Sequence, residues 1–90
     1  PDSKNIVLLN NAAMAKLETG KMDEALVLAR KARALAPKDP IVADTLGWII
    51  FKSGGSQQEA LELIRSAMIA QPRNTEIRQH AAALARAMEQ

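Results

Sequence analysis

Few residues in this chain could do chemistry. It has one histidine, His80, and no cysteine. Catalysis needs a nucleophile, an acid or base, and a group that orients it. No serine here stands in a partner motif, and His80 is alone on an alanine-rich stretch, where it reads as a structural or surface residue. Asp23 and Glu24 are neighbouring carboxylates. Adjacent helix residues point apart, so these read as helix-start charges. Gly54-Gly55-Ser56 lacks the following lysine and the preceding strand that a phosphate cradle needs, and reads as a turn. No metal-ligand spacing occurs. Arg30, Lys31, Arg33 and Lys38 cluster near one turn, but no aromatic residues interleave with them as a nucleic-acid surface would require. The expectation is a non-enzymatic chain with no cofactor, no metal and no nucleic-acid partner.

Composition points the same way. The 90 residues make one small domain, 1–90, with a net charge of +2, too balanced to argue for nucleic acid or an anionic membrane. Without cysteine there are no disulfides, and the redox compartment is not readable. No apolar run reaches the roughly 18 residues of a membrane span, and no signal peptide is seen. A start at Pro1 with no initiator Met reads as a domain cut from something longer, so a targeting segment would lie outside it. Alanine and leucine are abundant, and both are strong helix formers. Valine, isoleucine and threonine never alternate as in a strand. The class expected is all-α.

The central stretch is Asp39 to Lys52, followed by Gly54-Gly55. Asp39 can cap free N–H groups, and Pro40 suits the first helical position. The interior is apolar almost all round and holds the only Trp and the only Phe, which predicts a helix covered on more than one side. Gly47 at its middle costs about 1 kcal/mol against alanine, which close approach of a neighbouring helix would explain. A first helix is predicted from about Ser3 to Thr19, capped by Asp2 or Ser3, ended by Gly20, with Ile6, Leu9, Ala13 and Leu17 at helical spacing. A second runs from about Met22 to Ala36, with Ala25, Leu26, Ala29, Ala32 and Leu35 as its buried stripe, and Pro37 closes it. The fourth opens at the capping box Ser56-Gln57-Gln58-Glu59 and ends before Pro72, with Ala60, Leu61, Ile64, Ala67 and Met68 facing in. Asn74 or Thr75 caps the fifth, which runs to about Met88.

The chain repeats itself. Glu24-Ala25-Leu26, Ala32 and Pro37 map onto Glu59-Ala60-Leu61, Ala67 and Pro72 with a shift of 35, and Ala12-Ala13 onto Leu46-Gly47 with a shift of 34. The one-residue difference falls in the Gly54-Gly55 turn, where loops tolerate it. Leu46, Gly47, Ala60 and Pro72 match the tetratricopeptide repeat (TPR) signature, with Ile50 and Ile64 where aromatics are usual and Ala43 in place of the leading Trp. The first unit keeps Leu9, Ala13, Ala25, Ala32 and Pro37, with Lys16 where a large apolar residue is usual. The chain thus resembles a TPR solenoid of two helix-turn-helix units, 3–37 and 39–72, plus a C-terminal capping helix, 74–89. More narrowly, Leu9-Asn10-Asn11, Asp44-Thr45-Leu46-Gly47-Trp48 and Glu76-Ile77-Arg78 with His80 look like the C-terminal repeats of bacterial TPR lipoproteins linked to PEP-CTERM/exosortase export. That likeness implies a cell-envelope protein in an export or exopolysaccharide system, anchored by a lipid outside this chain.

In the TPR family the first helix of each pair lines a concave groove. By register, the resemblance places Val7, Asn10, Asn11, Met14 and Leu17 on that side of helix one. It places Ile41, Asp44, Thr45, Trp48 and Phe51 there from helix three, and Glu76, Gln79, His80 and Ala83 from helix five. The function implied is capture of a protein or peptide in a partly apolar groove with polar edges. Some TPR domains clamp a terminal carboxylate with lysine, arginine and asparagine; here Asn11 is present without a groove-facing lysine pair. For Trp48 and Phe51 the other reading is burial beneath helices one and five. An alternative function is self-association: a homodimer or stack through the Ala81-Ala82-Ala85 side of helix five, through helix one, or through Met14, Leu17, Trp48 and Phe51.

Overall fold

The computed structural model describes residues 3–89. These form five helices and no strand: α1 (Ser3–Glu18), α2 (Met22–Leu35), α3 (Pro40–Lys52), α4 (Gln57–Ala70) and α5 (Thr75–Met88). The predicted helix one, Ser3 to Thr19, and helix two, Met22 to Ala36, each run one residue past the observed ends. Of the proposed caps for helix one, Asp2 lies outside the described residues.

The helix ends are built by local chemistry that occurs twice. Gly20 and Gly54 both have φ of +80°, a backbone that glycine adopts without strain. The Gly20 and Lys21 N–H groups donate to the Leu17 and Lys16 carbonyls, and Gly54 and Gly55 donate in the same way to Phe51 and Ile50. Both helices therefore end in the two-bond Schellman pattern, which satisfies carbonyls that would otherwise be orphaned. The ends of α2 and α4 also match. Ala36 has φ −136°, ψ 69°, and Gln71 has φ −134°, ψ 72°. The next helices are then capped alike. The Asp39 carboxylate accepts from the Ile41 and Val42 N–H groups at 2.9 and 3.3 Å, and Asn74 accepts from the Ile77 N–H at 3.1 Å.

Helix α3 touches each of the other four helices. It packs against α1 and α5 on either side, and α2 and α4 lie behind, α2 against α1 and α3, α4 against α3 and α5. That is why Val42 to Gly47, Ile49 and Ile50 are all buried. Burying a Leu or Ile side chain contributes about 1.5–3 kcal/mol, so α3 supplies much of the core. The helices behind approach it through small residues. Ala25, Ala32, Ala60 and Ala67 have no exposed surface. At Gly47 a Cβ would stand 2.8 Å from Ile64 Cγ1 and 3.0 Å from the Ala60 carbonyl oxygen, so the α3–α4 crossing leaves no room for a side chain.

Three details depart from the sequence reading. Leu35 and Met68, expected in the core, are 50% and 37% exposed. Leu35 borders the open side of α1 beside Leu8 and Ala12, with no third helix over it. Met68 follows the fully buried Ala67 and lies about 100° further round its helix. Glu59 does not complete the capping box. Ser56 accepts from the Glu59 N–H at 3.1 Å, but the Glu59 carboxylate reaches across to Arg30, meeting Nη1 and Nη2 at 3.1 and 3.3 Å. This two-pronged pair joins α2 to α4 and raises the Arg30 guanidinium pKa, through its hydrogen bond first. At the other end, Lys16 Nζ lies 3.0 Å from Glu24, and its hydrogen bond and charge hold that carboxyl below its ordinary range.

The crossing makes a quantitative prediction. Gly47→Leu forces Ile64 and the α4 backbone apart and lowers stability by about 1–3 kcal/mol, the usual cost of overpacking. Urea denaturation measures it, and an unchanged midpoint would remove the close crossing.

Candidate functional site

The residues assigned to the groove fall into three groups. The first is a seam between α1 and α3. Val7, Asn10, Asn11 and Ile41 come together there with Ile6, Asp39 and Val42 around a cleft of about 180 Å³. The α1 residues recur at spacings of three and four, so they share one helix face. Val7 and Ile41 are 55% and 37% exposed. The Asn10 Oδ1 atom is buried with no hydrogen-bond partner in the protein. A buried acceptor without a donor costs about 1–3 kcal/mol.

The second group is a seam between α3 and α5, and here the geometry corrects the sequence reading. Asp44 and His80 were placed on an open face; Asp44 is 2% and His80 8% exposed. His80 Nδ1 lies 2.9 and 2.8 Å from the two Asp44 oxygens. Facing a carboxylate, Nδ1 carries the hydrogen and donates, which fixes the ring orientation. Far from being alone on its helix, His80 has a partner 36 residues away. Thr45, also expected to be open, is 4% exposed, closed in by the same packing of α3 on both sides.

The third group surrounds Trp48. Its ring stacks on His80 at 4.1 Å between centroids, with 12° between planes. Phe51 meets it at 5.5 Å and 47°. Lys52 Nζ stands 5.3 Å over the indole. Trp48 and Phe51 are partly buried, so neither the open-groove reading nor the core reading is complete: His80 covers one face of the indole and the rest reaches the surface. Met14 and Leu17 pack against the core from α1 with part of their surface open. Gln79 and Glu76 are exposed on α5, and Ala83 is partly buried.

Two features were not legible in the sequence reading. The Asp44–His80 pair has a signal in retrospect, since the two positions differ by one repeat period plus one residue and the helices bearing them lie side by side. The Lys52–Trp48 contact follows the i, i+4 spacing but gained no weight without a structure. Chemically, the site offers an aromatic surface, an amide with an unmet acceptor and a fixed imidazole. Among the described residues no hydroxyl or thiol bonds the second imidazole nitrogen, and no group of three His, Cys, Asp or Glu residues could hold a metal. No helix is long and apolar enough to cross a membrane among them. In comparison with known proteins, no family model matches the chain and no curated protein matches it.

The buried pair predicts an asymmetric mutant cycle. His80→Ala strands the Asp44 carboxylate and costs about 3–5 kcal/mol, whereas Asp44→Leu with His80→Leu together is far milder, because removing both polar partners removes the desolvation penalty. Urea melts of the three proteins measure it. Equal costs for the single and double variants would show that the pair is not acting as a buried unit.

Proposed function

We propose that the chain is a TPR-type solenoid of two units, 3–37 and 39–72, capped by 74–89. In this reading it works without catalysis, holding a protein or peptide on the outer face of the α1–α3–α5 layer. Support for the repeat comes from the paired Schellman ends, the paired caps and the alanines that recur at a shift of 35. The observation that carries the binding reading is the α1–α3 cleft. It combines exposed Val7 and Ile41 with the unmet acceptor of Asn10. Apolar surface beside an unsatisfied amide suits a peptide, which brings side chains for the one and backbone N–H groups for the other. The narrower likeness extends the proposal to a scaffold in a bacterial cell-envelope system of the PEP-CTERM type.

Self-association is the second reading, favoured by a different observation. Leu8, Val27 and Leu35 are 61%, 62% and 50% exposed on the α1–α2 pair, away from the groove. Sedimentation across a wide concentration range separates the readings, since a constant monomer mass ends this one.

For the groove, peptides selected from a random twelve-residue display library are the probe. Val7→Glu with Ile41→Glu should weaken their binding at least about tenfold, with helicity and melting temperature little changed, because exposed substitutions seldom move stability by more than about 0.5 kcal/mol. Ile69→Glu, on the 77% exposed Ile69 of α4, should leave binding intact. Loss with Ile69→Glu and not with the groove pair would overturn the assignment.

A further inference from the structure

Trp48 has one face against His80 at 4.1 Å. A cation also stands over this ring, with Lys52 Nζ 5.3 Å from its centroid. The ammonium comes from an exposed residue at the last position of α3. On its covered side, the Asp44 carboxylate bonds His80 Nδ1 at 2.8 Å. Whether the imidazole is neutral or protonated, that pair carries no net positive charge. Glu76, exposed on α5 one turn before His80, puts a second carboxylate on the same face of that helix. An indole stacked on a carboxylate-bonded imidazole, with an acid on the neighbouring helix face, suits a cation.

From this we infer that the exposed part of the Trp48 indole is a recognition site for a cationic side chain, arginine, lysine or a quaternary ammonium, which the chain fills with its own Lys52 when no partner is bound. This rests on the groove reading and narrows it, since the partner segment would carry a basic residue at this point. Lys52 then acts as a built-in competitor. An exposed cation–π contact is worth about 0.5–1 kcal/mol, so its removal frees the site by about two- to fivefold in affinity.

The test uses tetramethylammonium and arginine amide as probes. Because Trp48 is the only tryptophan, its fluorescence and its indole NMR signals report on this one site. Lys52→Met should bind both probes about two- to fivefold more tightly than the parent protein, and Trp48→Leu, followed by titration calorimetry because it has no indole to report, should bind neither. A Lys52→Met protein that binds no more tightly, or an indole that neither probe perturbs, overturns the inference. The library peptides separate the two failures. Neutral peptides held through Val7 and Ile41 while the cations leave Trp48 untouched would sink this inference and keep the groove. Loss of all peptide binding would sink the groove itself.

Discussion

A helix packed against all four others constrains this molecule more than any other feature. Helix α3 must present apolar or internally satisfied residues to each of them, and each neighbour must come close enough to exclude water. Close approach requires small side chains at the crossings, which is why Ala25, Ala32, Ala60 and Ala67 are wholly buried and why Gly47 tolerates no Cβ. Glycine in mid-helix is unfavourable by about 1 kcal/mol, and the tight α3–α4 contact offsets that cost through dispersion and burial. The turns at Gly20 and Gly54 and the caps at Asp39, Ser56 and Asn74 then fix where each helix begins and ends. They register the crossings rather than create them.

The same burial accounts for the polar residues of the seam. Asp44 sits where α3 is closed by α5, so its carboxylate is withdrawn from water and must find a donor within the protein. His80 supplies it from the neighbouring helix, and the indole of Trp48 lies along the imidazole. The chain of contacts runs from a buried carboxylate, through a fixed ring, to an aromatic surface that meets solvent. An aromatic residue held in this way is a rigid contact surface, and rigidity lowers the entropy lost when something binds to it. The link between core and surface is therefore physical: what keeps α5 in place also orients Trp48.

Much of the fold was legible because it is written locally. A capping aspartate followed by proline, a serine three residues before glutamate, and glycine after an apolar run each act within a few residues, and the helices begin and end within a residue or two of those signals. Burial near the edges was less legible. Leu35 and Met68 have the right spacing for the core, but spacing says only that residues share a face, and what covers that face depends on distant parts of the chain. Glu59 shows the same limit, since its local partner lost to Arg30, 29 residues away. For the candidate site, Val7, Asn10, Asn11 and Ile41, which register put on one side, line one cleft. Register put Asp44, Thr45 and His80 on the right elements but left them open, because a period gives direction and not depth.

The two seams flanking α3 show how one register yields two behaviours. Asn10, Asp44 and Gln79 occupy equivalent places on α1, α3 and α5, as do Asn11, Thr45 and His80. Between α3 and α5 the acid of one helix meets a histidine of the next, and both are buried. Between α1 and α3 the acid is replaced by an amide and the histidine by a threonine, and no hydrogen bond reaches Asn10 Oδ1. A buried seam held by a carboxylate–imidazole hydrogen bond resists opening, since separation would strand a desolvated carboxylate. A neutral seam with an unmet acceptor has less to lose and a donor to gain. Helix α1 also has fewer neighbours than α3, touching only α2 and α3. The distribution of polar groups therefore leaves the α3–α5 side bonded across and the α1–α3 side with an acceptor still unmet, and this asymmetry arises from exchanging two residue types at positions that the sequence shift makes equivalent.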